Sequence, residues 1–499
     1  MQVDKGAEMP TSDTFNRGIG NYRGTRDYFG DEARWRARII ATISQVFESF
    51  GFEPLETPGI ETERTLTGKY GEEGETKRFK LGLPFPNEGG LRYDHTVPLA
   101  RFMAMNWNRF PLPYRRYAIG PVWRNETTQA GRFRQFFQCD FDTVGSTSPV
   151  IDAEIVAMNY TVLTRLGFKG NFIVKVNDRR LLNSLANALG FINPDETMAL
   201  FRAWDKQEKF TLDQIRSEFA YDLAKINLRR RREEGEDKEF DHAVSLARKR
   251  LSVAFEPATA LLSEVPDDTA KGLRAISKYF AKSPDVLNAL GELGRLLDYI
   301  AAMGVPTKYY QFWPLLARGL DYYTGPIFET IVESSGIGSI TGGGRFDNLI
   351  AQMGGPDMAA SGSSFGLERV MEVMEQLSLK PKSTQPTQVF ITLFDLNDPK
   401  LCQASFELAG RLRLAGLNVE VYTGEGQKLA KQLDIANRKC IPLVTILGTN
   451  ELNDKMVTIK DLRRQKTGKG MSTSNQILVP LSKAVEQVHA LLQTSWEGA

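Results

Sequence analysis

The 499-residue sequence has three cysteines, Cys139, Cys402 and Cys440, and three histidines, His95, His242 and His489, with no CxxC pair among them. An odd, scattered set excludes a disulfide framework and a Cys/His zinc site. Long apolar runs are also missing: the best candidates, 38–47 and 441–447, fall well short of the roughly 18 residues that cross a bilayer. No membrane-spanning helix is expected. The opening MQVDKGAEMPTSDTFN has no apolar core and no Arg but carries Asp4, Glu8 and Asp13, unlike a secretory signal or an organellar presequence. A cytoplasmic protein in a reducing compartment is the expectation. Excess charge of one sign is lacking as well, with 63 Lys plus Arg against 61 Asp plus Glu. A nucleic-acid partner is neither implied nor excluded by that balance, because binding depends on where charges cluster. The 41% hydrophobic content rules out a chain disordered throughout, and the length, at roughly 150 residues per domain, predicts two to four domains.

Within 31–50, Ile39, Ile40, Ile43, Val46, Phe47 and Phe50 recur at helical spacing after an acidic start. This predicts an amphipathic helix ended by Gly51, with a strand entry at FEPLETP. Aromatic and β-branched residues from Tyr114 to Val122 and from Arg132 to Val144 predict an antiparallel pair joined by the TTQAG loop. Alternation in the second strand puts Arg134, Phe136, Gln138, Asp140 and Asp142 on one face, with Phe133, Gln135, Phe137, Cys139 and Phe141 on the other. The polar face is either solvated or the floor of a ligand site. Residues 181–304 read as a helical insertion with a charged centre. Strands return at FETIVES and SITGGGRFDNLI, and SGSSFGLERVMEVMEQL runs from strand or turn into helix. LKPKSTQPTQ is the best linker. After it strands and helices alternate, predicting a small α/β domain with parallel strands. Its 14 Lys plus Arg against 11 Asp plus Glu over 386–499 give it a mild basic bias of +3. We therefore expect an extension at 1–20, a main domain at 21–180 and 305–378, an insertion at 181–304, a linker at 379–388 and a last domain at 389–499.

Three segments carry charge beside glycine and aromatics where a strand would normally hold Val, Ile and Leu. In PVWRNETTQAGRFRQFFQ, Arg124 and Glu126 share a face, and the guanidinium either binds a phosphate or pairs internally with Glu126. ARGLDYYTGPIFE sets Arg318 between small residues, ahead of Asp321, Tyr322 and Tyr323. That cluster is either a core network or a place where a ligand approaches the backbone. SITGGGRFDNLI lacks the GK[ST] ending of a phosphate loop and the GxGxxG turn of a dinucleotide fold. Its three glycines would instead let a flat ligand lie on the backbone, with Arg345 and Arg369 meeting phosphates or a base.

GTRDYF, LRYDHTVPLARFMAMN, WRNE with GRFRQFFQCDFDTVG, KVNDRR, ARGLDYYTGPIFE, GGGRFDNL and FGLERV, in this order, resemble histidyl-tRNA synthetase, a class II aminoacyl-tRNA synthetase. The resemblance runs from about residue 20 to about residue 490. ARGLDYYTG and GRFRQFFQCDFD are its most specific elements, whereas FGLER fits the whole class. It implies an α+β fold: an antiparallel sheet flanked by helices, a helical insertion and a C-terminal α/β anticodon-binding domain. It also implies ATP-dependent activation of L-histidine to histidyl-adenylate and transfer to the 3′ end of tRNA(His), with Mg²⁺, in a homodimer whose interface includes GFEPLETP.

By the same resemblance Asp94 and Thr96, with His95 between them and Gln138 assisting, meet the substrate amino group. Asp142, Tyr322 and Tyr323 face the imidazole. Arg124 and Arg318 are the catalytic arginines at the α-phosphate, Glu126 joins the ATP site, and Arg369 lies near the adenine and γ-phosphate. Gln129 and Arg132 are tRNA-contact candidates, while the run Arg229 to Arg232 either reaches the acceptor arm or is a solvated helix face. His95, Asn125, Phe346 and Asn348 depart from the residues more usual at their positions, and Phe346 lacks a hydroxyl. Two other readings remain: a synthetase-like paralogue without activity, such as a regulatory subunit of ATP phosphoribosyltransferase, and an RNA-sensing module. The 386–499 region and the intact arginines favour the enzyme.

Overall fold

Asp31 and Glu32 open the first long helix, Gly30–Ser49, at the end where free backbone N–H groups favour anions. Ile39, Ile43, Val46 and Phe47 form its buried stripe, and Gly51, at φ +80°, supplies the left-handed turn that ends it. The computed structural model describes residues 19–68, 71–82, 88–207, 210–233, 240–265, 268–317, 322–381, 386–424, 428–464 and 475–493, with the backbone alone at 71–73 and 229–233. The extension at 1–18, the centre of the linker at 382–385 and the side chains of Arg229 to Arg232 lie outside them. Two compact units result: residues 36–380 with those before 28, and residues 381–499 with 28–35.

The first unit is built on strands β1 (Glu53–Pro54), β2 (Ile60–Thr62), β3 (Lys80–Leu81), β4 (Gly89–Leu91), β5 (Tyr114–Trp123), β6 (Gln135–Val144), β7 (Ile173–Asp178), β8 (Tyr310–Phe312), β9 (Pro326–Ile331), β10 (Thr341–Arg345) and β11 (Ala360–Gly366). Eight of them form one sheet in the order β1-β5-β6-β11-β10-β9-β7-β8, and β2, β4 and β3 make a small second sheet. The six inner strands are antiparallel to their neighbours, while the edge strands β1 and β8 pair in parallel. Register decides what meets across the sheet. Asp142 stands opposite Arg116 and Gly362, Asp140 opposite Ser364, and Gly342 opposite both Ser364 and Glu329. Cys139 and Phe141 alternate onto the other face, where Phe141 stacks 4.8 Å from Phe47.

The expected hairpin is present, but its second strand begins at Gln135 rather than Arg132. Gln129 and Arg132 close a tight bridge first, and the Arg134 amide bonds to Gly24. Arg134 therefore leaves the polar row. Helices fill the stretch between β7 and β8, from Arg179–Ala188 to Pro284–Ala302. Asp178 caps the first of them, accepting from the Arg180 amide at 2.8 Å.

The second unit has β12 (Val389–Ile391), β13 (Val419–Val421), β14 (Leu443–Ile446), β15 (Met456–Asp461) and β16 (Gln476–Pro480), ordered β13-β12-β14-β15-β16. The first three are parallel, joined through the helices Pro399–Leu414, capped by Asp398, and Leu429–Arg438. The sheet is mixed rather than wholly parallel, because β15 and β16 add an antiparallel edge. In β15, apolar Val457 and Ile459 alternate with polar Thr458 and Lys460 along the sequence, although Lys460 is also buried, a short period-2 signal that the alternation of strands and helices before it conceals.

Candidate active site

Strands β6, β9, β10 and β11 of the first unit and the segments flanking them line a cavity of about 330 Å³. Its floor is the polar row of β6, Phe136, Gln138, Asp140 and Asp142, continued by Gly362, Ser363 and Ser364 of β11 and by Gly342 and Gly343 of β10. Glycine serves two different purposes here. A methyl on Gly362 would sit 2.0 Å from Asp142 Oδ1, so its absence makes room for that carboxylate, whereas a methyl on Gly342 would have nothing within 4 Å and would project into open space. Gly342 exposes bare backbone on which a planar group can rest.

One end of the cavity is acidic. Asp94 precedes the helix Thr96–Asn106 and accepts from the Val97 amide at 3.0 Å. Asp140 and Asp142 are 3% exposed, and between the strands Arg116, wholly buried, sits 2.7 Å from Asp142. Burial pushes Asp142 up to about 6 and Asp140 up to about 7, with Arg116 pulling both back down and the neighbouring carboxylates adding to the rise. Burial and then Asp142, Asp94 and Asp140 likewise push the Tyr323 hydroxyl up, so it remains protonated. Tyr322 packs edge-on to Tyr323 at 5.0 Å and to Phe346 at 5.9 Å. Three carboxylates gathered around Arg116, with Arg92 near Asp140, give this end acceptors for a cation or for groups that donate hydrogen bonds.

The opposite wall is basic. Arg124, Arg132 and Arg369 all face the cavity. Arg124 donates to the Tyr93 carbonyl at 3.1 Å and lies over the Tyr93 ring at 4.2 Å and the Phe136 ring at 5.2 Å. Arg369 donates to the Ser339 carbonyl at 2.7 Å, and its pKa is lowered by burial and then by Arg132 and Arg124. Glu126 pairs with Arg132 and stands 3.5 Å from Lys77. The internal Arg–Glu pair thus uses Arg132, while Arg369 is crowded by Arg132 and Arg124. An anion relieves that crowding, and guanidinium forks suit phosphate oxygens.

Of the residues singled out in the sequence, Asp94, Thr96, Arg124, Glu126, Arg132, Gln138, Asp142, Tyr322, Tyr323 and Arg369 come together around this cavity. His95 does not. Its ring turns away, Nε2 lies 3.2 Å from the Gly120 carbonyl, and burial beside Arg92 and Arg116 lowers its pKa to about 3. It is a neutral packing residue that donates to that carbonyl. Gln129 is held in its backbone bridge with Arg132, outside the cavity lining. Arg345 also departs from expectation: its guanidinium is buried on Asp152 at 2.7 Å, with Ser146 and Ser148 carbonyls at 3.2 and 3.1 Å, so it ties strand β10 to the helix Pro149–Arg165 rather than meeting a ligand. Asn125 docks by its backbone on Lys77, and Asn348 begins a short helix without a side-chain cap. Arg318, with Gly319 to Asp321, lies outside the described residues.

The sequence reading missed four contributors. Arg116 is visible only once register pairs it with Asp142. Asp140 stood on the right strand face, yet nothing local separated it from a solvated acid. Ser364 and Glu368 act across the sheet: Ser364 donates to Asp140, while Glu368 accepts from the Phe137 amide at 3.0 Å and pairs with Arg36 at 2.7 Å.

An antiparallel sheet with an acidic pocket at one end of its cavity and a guanidinium wall at the other is the catalytic scaffold of a class II aminoacyl-tRNA synthetase. A family model described as histidyl-tRNA synthetase matches residues 24–370, and one described as an anticodon binding domain matches residues 388–491. A histidine–tRNA ligase of Gloeobacter violaceus is 35% identical, the match covering 92% of this chain and 98% of the relative. One of Aeropyrum pernix is also 35% identical over 94% of this chain and 98% of its own length. The crystal structure of histidyl-tRNA synthetase from Nostoc sp. PCC 7120 superposes with a TM-score of 0.72 at 25% identity, covering 95% of this chain and 99% of that one. This chain belongs to the histidyl-tRNA synthetase family.

Proposed function

We propose that the protein is a histidine–tRNA ligase, converting L-histidine and ATP to histidyl-adenylate and pyrophosphate and then passing the histidyl group to the 3′ end of tRNA(His). The observation that carries this reading is one cavity with carboxylates at one end and the guanidinium groups of Arg124, Arg132 and Arg369 at the other. It suits a substrate that brings an ammonium and a ring N–H together with one that brings phosphates. In this reading Asp94, Thr96 and Gln138 accept the α-ammonium. Asp142 accepts from one imidazole nitrogen, and the hydroxyls of Tyr322 and Tyr323 serve the other. An apolar side chain of similar size would leave those buried groups unpaired, which is the basis of discrimination. The adenine rests along Gly342, with Arg369 above it and toward the γ-phosphate.

The chemical step is attack of the histidine carboxylate oxygen on the α-phosphorus, with the bond to the β-phosphate oxygen breaking as pyrophosphate leaves. Arg124 holds an α-phosphate oxygen, and the family resemblance gives Arg318 the same task from the other side. Positioning and charge neutralisation supply most of the rate. Among the described residues no three His, Cys, Asp or Glu side chains form a metal cage. Mg²⁺, which the family resemblance implies, would arrive on the ATP phosphates as part of the substrate and neutralise charge there.

Residues 388–491 read the tRNA anticodon in this account, and Arg132, held by Glu126 at the cavity wall, meets the incoming acceptor end together with the nearby Gln129. We place the domain boundaries as drawn from the sequence, and GFEPLETP at a homodimer interface. No helix of the described residues is long and apolar enough to cross a membrane; as an enzyme of translation, the protein is placed in the cytoplasm. The anticodon-domain match argues against a regulatory paralogue that lacks this domain. Charging of tRNA(His) transcripts with labelled histidine tests the proposal. Charging above the no-enzyme level supports it, and purified, folded protein that binds ATP but charges nothing overturns it.

A further inference from the structure

Gln138 has its side-chain amide fixed from behind. Its Nε2 donates to Ser364 Oγ at 3.1 Å, and Ser364 Oγ in turn donates to Asp140 Oδ1. A hydroxyl has one proton, and an ionised carboxylate only accepts, so with the proton on the Asp140 side Ser364 can offer Gln138 nothing but a lone pair. While Asp140 is ionised, the amide nitrogen must therefore face Ser364. Gln138 Oε1 is then the end turned away from the relay, and it is buried with no hydrogen-bond partner among the described residues. A buried carbonyl oxygen left in that condition costs free energy until a donor arrives. In a cavity-lining residue it marks where a cationic donor belongs.

We propose that Asp140 and Ser364 are positioning residues for the substrate α-ammonium: Asp140 sets the direction of the Ser364 hydroxyl, which fixes the Gln138 amide with its oxygen toward the ligand. The inference rests on the histidine-activating reading and adds to it two residues that act through Gln138. Register makes the relay possible, since Asp140 and Ser364 stand directly opposite on β6 and β11 and Gln138 is two residues along the same face. The relay is sensitive to the charge of Asp140, which Asp142 and Asp94, Arg116 and Arg92, and the Tyr323 hydroxyl all face. If Asp140 takes a proton it can donate to Ser364, the hydroxyl can donate to Gln138, and the amide can turn over.

Two ligands separate positioning from general damage: histidine, and 3-(imidazol-4-yl)propionate, which lacks the α-amino group and is used as a competitive inhibitor of histidine-dependent ATP–pyrophosphate exchange. Ser364→Ala should raise the histidine KM roughly tenfold, the factor that corresponds to one lost hydrogen bond to a charged group, while the inhibitor Ki stays within about twofold. Ser364→Thr, which keeps the hydroxyl, should return the histidine KM to within about threefold of the parent. Asp140→Asn, able to donate as well as accept, should behave like Ser364→Ala, so the case does not hang on one variant. Melting temperatures measured alongside confirm that the variants fold. Equal weakening of both ligands, no change in either, or a folded Ser364→Thr no better than Ser364→Ala would overturn the relay. Parent protein without histidine-dependent exchange would overturn the functional reading and the relay with it, whereas normal parent exchange with ligand-blind variants removes the relay alone.

Discussion

Arg116→Met is the sharpest probe of the acidic end of the cavity. The guanidinium is wholly buried, 2.7 Å from Asp142, and also donates to the His95 carbonyl at 3.2 Å. Methionine fills similar space, so most of the cost is electrostatic. Removing one member of a buried ion pair typically costs about 3–5 kcal/mol, since the other charge is left uncompensated. The carboxylates have an escape, however, because Asp142 and Asp140 are already pushed up to about 6 and about 7 by burial, and Arg116 is what opposes that rise. A carboxyl whose folded pKa exceeds its unfolded value binds more protons when folded. Stability is then lost as pH rises from the unfolded value of about 3.9 through the folded one. Without Arg116 that window extends further upward, so the variant keeps losing stability at pH values where the parent has levelled off. We expect a loss of about 3–5 kcal/mol at pH 8 that shrinks by about 1.4 kcal/mol per additional group protonated for each pH unit below the new pKa. Asn in place of Asp142 should restore part of the loss at pH 8. Denaturation monitored in the first unit at pH 6 and pH 8 gives the comparison. An equal loss at both values would mean that Arg116 contributes packing only, and would refute the charge argument.

Three other substitutions test the rest of the site. Gly342→Ala should leave the melting temperature within about 2 °C of the parent, because the added Cβ meets nothing within 4 Å, yet raise the KM for ATP about tenfold in pyrophosphate exchange by occupying the platform. Arg345→Met should do the reverse: a buried pair with Asp152 is broken, costing about 3–5 kcal/mol of stability, while the folded fraction keeps a near-normal KM for both substrates. Arg369→Ala should lower the rate of exchange by roughly two orders of magnitude, as expected for loss of a preorganised donor to phosphate, with the histidine dissociation constant unchanged by calorimetry.

The polar row of β6 was legible because alternation is a local property: Gln138, Asp140 and Asp142 fall on one face of any strand through them. The partners of that row were not. Arg116 sits in YRRYAIG among residues that read equally well as a solvated strand, and only the pairing of β5 with β6 carries it inward against Asp142. Arg345 shows the converse error. Beside three glycines it had the chemistry of a ligand contact, but Asp152, nearly two hundred residues earlier, claims it. His95 failed for a related reason, since its neighbours Asp94 and Thr96 face the cavity while the bend before the helix Thr96–Asn106 turns its own ring toward Gly120. In the second unit the alternation of strand and helix correctly gave β12 to β14, whose order depends on nearby crossovers. The antiparallel edge of β15 and β16 had no such rhythm to announce it.

The most direct test of the central claim is ATP–pyrophosphate exchange run with each of the twenty amino acids in turn. The acidic pocket formed by Asp94, Asp142, Gln138, Tyr322 and Tyr323 is read as specific for an ammonium plus a ring that both donates and accepts, and a mismatched side chain leaves those buried polar groups unpaired. Exchange with histidine alone, about ten-thousandfold above phenylalanine or glutamine on the order found when a site rejects a ligand lacking its hydrogen-bonding group, is the result predicted. Comparable exchange with either of those two, or none with histidine, would contradict it.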